Sequence, residues 1–162
     1  MYERRNCMKL LFKQRMFSWF DSYDIYDDNG NTVFVVKGQL SWGHKLNIYD
    51  SFGKQVGTIK EEVLTFLPRF ALYEQDRYIG QIKKEFTLFK PKFALDFNGW
   101  EVSGNWMEWD YTVYDRSGSS IMEANKKLLQ WTDTYEITVH DSSNALYALM
   151  IVLAIDIVKC SN

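Results

Sequence analysis

The side chains that could do chemistry are few and scattered. His44 follows Trp42-Gly43 in an expected loop, and His140 follows a strand on its outward parity; neither has a nucleophile or a second ligand beside it. Metal sites take several such ligands at once, so lone surface imidazoles are the simpler reading. Cys7 and Cys160 stand near opposite ends of the chain without metal-ligand spacing, and they read as free thiols of a reducing compartment. The paired acids Asp27-Asp28 and Glu61-Glu62 sit beside turns, where carboxylates usually hold the backbone. There is no glycine-rich phosphate loop, serine elbow or Cys-Cys motif. Acid, base or nucleophile catalysis needs a convergent set of groups, so the expectation is a protein without catalytic residues, metal or cofactor.

The more promising side chains are cationic. Net charge is only −2, which excludes an overall field toward nucleic acid or a membrane, but the charges are unevenly spread. Residues 1–20 carry five basic groups against one acid, 51–95 carry eight against five, and 96–162 carry four against ten. Any anion-binding surface should therefore come from the first two-thirds. Lys60 corresponds to Lys83 and Arg69 to Lys92 in two similar segments, with Lys84 and Lys90 alongside. Arg69, Lys83, Lys84, Lys90 and Lys92 are expected to form a band on one outer surface, able to hold an anionic lipid headgroup by charge-assisted hydrogen bonds. Trp106, Trp109 and Trp131 are a second candidate surface, for a protein partner or a membrane interface; packing between strands is the alternative.

The elements that must position these residues announce themselves by repetition. Tyr26-Asp27-Asp28-Asn29-Gly30, Tyr49-Asp50-Ser51-Phe52-Gly53 and Tyr114-Asp115-Arg116-Ser117-Gly118 are hairpin turn signals, each following alternating apolar residues. The residues expected to face inward before the turns, Ile25, Ile48, Leu72, Leu95, Val113 and Ile137, are spaced by 23, 24, 23, 18 and 24, the period of a two-strand unit. Residues 57–72 and 80–95 agree at nine of sixteen positions, so these segments should be structurally equivalent. Twelve strands are predicted between Lys9 and Val139. Asp141, Ser142, Ser143 and Asn144 then offer N-caps to a segment, Asn144 to Lys159, in which every residue from Ala145 to Ile155 is apolar.

A helix apolar all round belongs in a core or a bilayer, and eleven apolar residues before Asp156 fall short of the ~20 of a spanning helix. About eight strands make a barrel that side chains fill, whereas twelve leave a lumen wide enough for one helix. The reading is a mostly β protein: a closed twelve-stranded antiparallel barrel around a central hydrophobic C-terminal helix spanning 144–159. Residues 1–8 form an N-terminal extension and 9–162 a single domain. Asp156 is expected near a barrel mouth, hydrated or partnered. Lys9, Lys13 and Arg15 interrupt the apolar residues after Arg4-Arg5, so no secretory leader is expected.

Lys13-Gln14, the Tyr26-Asp27 and Tyr49-Asp50 units, Gly104-Asn105, the run Asp133 to Val139 and, above all, Ala148 to Asp156 resemble the LURP-one-related family across nearly the whole chain. The resemblance implies the Tubby C-terminal-like fold, the same helix-filled barrel. Families of that fold include Tubby domains, which bind phosphoinositides, and phospholipid scramblases. The expectation is a non-catalytic binding module that recognises anionic phospholipid or a protein partner on the barrel exterior. It would be cytoplasmic, with a peripheral membrane position as a candidate, and would have no nucleic-acid partner and no transmembrane helix. A structural or assembly protein acting through a Trp-rich surface, and a scramblase-like membrane protein, are the alternatives.

Overall fold

The repeated turn signals close a barrel. The computed structural model describes residues 6–13, 22–88, 92–128 and 133–160. Its strands are β1 (Met8–Lys13), β2 (Ser22–Tyr26), β3 (Thr32–Gln39), β4 (Lys45–Asp50), β5 (Gln55–Glu61) and β6 (Arg69–Glu74). They continue as β7 (Arg77–Glu85), β8 (Lys92–Leu95), β9 (Glu101–Asn105), β10 (Asp110–Tyr114), β11 (Ser120–Leu128) and β12 (Asp133–Val139). All neighbours are antiparallel and consecutive, and β1 pairs with β12 to close the ring, which leaves no terminal strand unpaired.

One local device recurs at the tight turns. The pairing slips by one residue between Ile25 and Tyr26, Ile48 and Tyr49, Leu72 and Tyr73, and Val113 and Tyr114. Such a bulge increases the local twist a strand needs to close a barrel. In three of these turns an aspartate follows the tyrosine. Asp27 Oδ1 accepts from the N–H groups of Asn29 (2.9 Å) and Asn31 (2.8 Å). Asp50 accepts likewise from Phe52 and Lys54, and Asp115 from Ser117 and Ser119. The Tyr-Asp signature is thus a bulge followed by a side-chain-stapled turn.

The closing helix α1 spans Ala145–Cys160, one residue later at each end than the sequence predicts, because Ser142–Asn144 form a turn of 3-10 helix. Asp141 caps that turn, accepting from Ser143 N at 2.9 Å. Ala145 and every residue from Ala148 to Val158 are buried against the inward side chains of the strands. Ser142–Cys160 is 19 residues long with mean hydropathy 1.7, so by length and composition this segment does reach what a bilayer crossing requires. In the fold the barrel encloses it instead. Five of the six residues expected to face inward, all but Leu95, are completely buried, and Leu95 lies on that face opposite Ile82.

Aromatic rings close both mouths. At the end of the tight turns Phe97, Trp100 and Tyr147 pack together, with centroids 5.7 to 6.3 Å apart. At the other end Trp109 stacks on Tyr135 at 3.8 Å with Phe12 beside both, and Trp106 meets Phe93 edge-on at 4.9 Å.

Candidate functional site

An antiparallel barrel with consecutive neighbours places alternate connections at opposite ends. One end therefore carries the turns at 27–31, 51–54, 75–76, 96–100, 115–119 and 140–144. Among the described residues the other carries 40–44, 62–68, 86–88 and 106–109, and α1 runs from the turn end to this loop end. The two ends differ chemically. Asp27, Asp28, Asp50, Glu74, Asp76, Asp96, Asp115 and Asp141 gather at the turn end, against Lys54, Arg77 and Arg116. The candidate cations lie at or near the loop end.

Strand register decides which cations share a face. Arg69 stands opposite Lys83, and Lys83 opposite Ala94 in β8, so Arg69 and Lys83 are neighbours on the outer wall. Lys92, two residues before Ala94, shares that wall one step nearer the rim. Lys84 does not: it pairs with Phe93 on the inward parity, and its Nζ lies 5.8 Å from the Trp106 ring centroid. Adjacent residues of a strand point to opposite faces, so Lys83 and Lys84 never belonged to one band. Lys90 lies outside the described residues. Nor do equivalent positions lie side by side: Lys60 pairs with Lys45 and Ala71, one strand short of Lys83. The surviving group is Arg69, Lys83 and Lys92. Glu62 lies 3.6 Å from Arg69 and Glu85 3.3 Å from Lys83, both exposed pairs that a competing anion can displace at small cost.

Trp106 and Trp109 are 5% and 2% exposed, so for these two the alternative of packing in the barrel holds and the candidate Trp-rich surface does not; Trp131 lies outside the described residues. The exposed apolar side chains are others. Leu40, Trp42, Val63, Leu64, Phe66, Phe86, Leu88 and Met107 all project from loop-end connections, whereas Phe52, Tyr78 and Tyr114 lie elsewhere. The loops that bear them touch. Glu61 Oε2 accepts the His44 N–H at 2.9 Å and lies 2.5 Å from His44 Nδ1, and a Cβ on Gly43 would stand 2.7 Å from Val63. Phe66 and Phe86 are 6.5 Å apart. Glu61 is therefore a tie between two rim loops rather than a turn former.

These loop residues carry a weak sequence signal: Val63-Leu64-Thr65-Phe66-Leu67 is apolar but for Thr65, does not alternate as a half-buried strand would, and ends at Pro68. Beside them the wall is thinly paired. Among the described residues β8 and β9 share one register pair, Ala94–Glu101, and toward the loop end they part around a fissure of about 660 Å³, edged by Lys92, Ser103 and Asn105 over Phe93 and Trp106.

Asp156 differs from expectation in being buried rather than hydrated. Burial pushes its carboxyl up to about 7, against the opposing pull of Lys159. Tyr111, completely buried, is pushed above the ordinary phenol range, first by burial and then by Asp156. Cys7 and Cys160 are free thiols near opposite ends of the barrel. Among the described residues, no three His, Cys, Asp or Glu side chains converge as a metal set would.

Residues 8–156 match the family model described as LURP-one-related. The chain is also 30% identical over 153 residues, 93% of each chain, to the protein named "Uncharacterized protein YxjI" of Bacillus subtilis strain 168.

Proposed function

The chain belongs to the LURP-one-related family, and from that premise we propose that it is a non-catalytic binding module that engages anionic phospholipid through its outer wall. The observation that carries the reading is the row Arg69–Lys83, with Lys92 one step toward the rim, on the face away from the acidic turn end. Each such cation near an anionic membrane contributes about 1 kcal/mol, and the effect decays within a Debye length, so binding is weak singly and salt-sensitive. With α1 filling the lumen, the ligand is met on the exterior. The position is peripheral, on the cytoplasmic side.

Co-sedimentation with phosphatidylglycerol-containing vesicles at low salt tests this. Wild type is expected to pellet with the vesicles and the Arg69→Glu, Lys83→Glu, Lys92→Glu triple variant to stay in solution. Equal pelleting of the two would refute the assignment.

A second reading has its own support. The parted edges of β8 and β9 could accept an extended segment of a protein partner, which would add a strand to the seam. Exposing α1 to a bilayer, as a scramblase-like protein would, requires opening the ring and giving up the contacts that bury Ala145 and the residues from Ala148 to Val158.

A further inference from the structure

We infer that the loop end of the barrel inserts into a phospholipid leaflet, with Trp42, Leu64, Phe66, Phe86 and Leu88 as the penetrating side chains. This rests on the lipid-binding reading above and adds to it a second surface, an orientation and a depth.

These five residues are 87%, 103%, 94%, 70% and 95% exposed, nearly as open as in an unfolded chain. Large apolar side chains held so far out of the fold are costly in water, and clustered at one place they mark a binding surface. They rise from three segments that are neighbours around the ring, 40–44, 62–68 and 86–88. The His44–Glu61 tie and the Phe66–Phe86 approach hold those connections against one another. The projections therefore form one array.

The flanking charge selects a leaflet over a folded partner, because it has the order an interface requires. Apolar tips come first, then Lys92, Arg69 and Lys83 on the wall behind them, where long cationic side chains reach phosphates while the tips lie among acyl chains. The acidic turn end then faces away from the anionic surface, so the molecule's own charge asymmetry steers it in this orientation. Trp and Phe at the tips suit the interfacial zone.

The tips lie outside the buried core, so their removal leaves the barrel itself intact and loss of binding can be read directly. The probes are vesicles of phosphatidylcholine with phosphatidylglycerol, unlabelled and with brominated acyl chains. The variants are Leu64→Ser/Phe66→Ser, Phe86→Ser/Leu88→Ser and Trp42→Phe. Each double variant is expected to lower partitioning by at least about tenfold, from the apolar area it withdraws. Brominated chains are expected to quench a component of the tryptophan emission that is absent in Trp42→Phe. If wild type binds, the charge triple variant fails, both double variants bind like wild type and no Trp42 component is quenched, insertion is overturned and the electrostatic reading stands. If wild type fails to bind anionic vesicles at low salt, the lipid reading itself falls. A dimer in light scattering that depends on Leu64 and Phe66, with no vesicle binding, would assign the rim to a second copy and overturn the proposal.

Discussion

Asp156 is a carboxyl group that burial holds far above the ordinary carboxylate range. Its carboxyl titrates at about 7 in the fold and near 4 once the chain unfolds. A group held more strongly protonated in the native state adds stability below pH ~4, and that contribution is lost as pH rises through 7. The loss amounts to up to about 4 kcal/mol at 1.36 kcal/mol per unit. Asp156→Asn should therefore match wild type near pH 4 and exceed it at pH 8, and denaturant unfolding at the two values checks this. Lys84 supplies a second prediction. Because it caps Trp106 on the inward parity, Lys84→Glu should lower the melting temperature yet leave vesicle binding nearly intact, whereas Lys83→Glu should do the reverse. Both positions read as equivalent cations in the sequence, since composition carries no parity until the register is known.

At the scale of elements, the hairpin period and the apolar helix were legible because each is a short-range pattern repeated many times. The Tyr-Asp units marked turns correctly, since an aspartate accepting two backbone N–H groups is a local event. The rim was not legible. Whether Leu64 or Phe66 packs inward depends on where a connection runs relative to neighbouring loops, which no window of sequence contains. The bulges add a further prediction. Gly80 adopts φ +149°, and a Cβ there would stand 2.5 Å from the carbonyl oxygen of Asp96. At the equivalent Gly57 a Cβ would instead press on the flexible end of Met150. Gly80→Ala should cost about 2–3 kcal/mol and Gly57→Ala distinctly less, as measured by urea unfolding, because backbone yields less readily than a methionine tip.

For the whole molecule, a ring of twelve strands too wide to fill itself makes α1 an obligatory part of the core. A chain ending at Asn144 is expected to give no cooperative unfolding transition, which calorimetry would detect. The same enclosure leaves the exterior for function and gives the barrel two unlike ends, one acidic and tightly turned, the other apolar with cations behind it. The central claim is that the second end meets a membrane, and hydrogen–deuterium exchange tests it most directly. Adding phosphatidylglycerol-containing vesicles should slow exchange in 40–44, 62–68 and 86–88 and leave the turns at 27–31, 51–54 and 75–76 unchanged. Protection confined to the turn end, or none at the loop end in a protein that pellets with the vesicles, would contradict it.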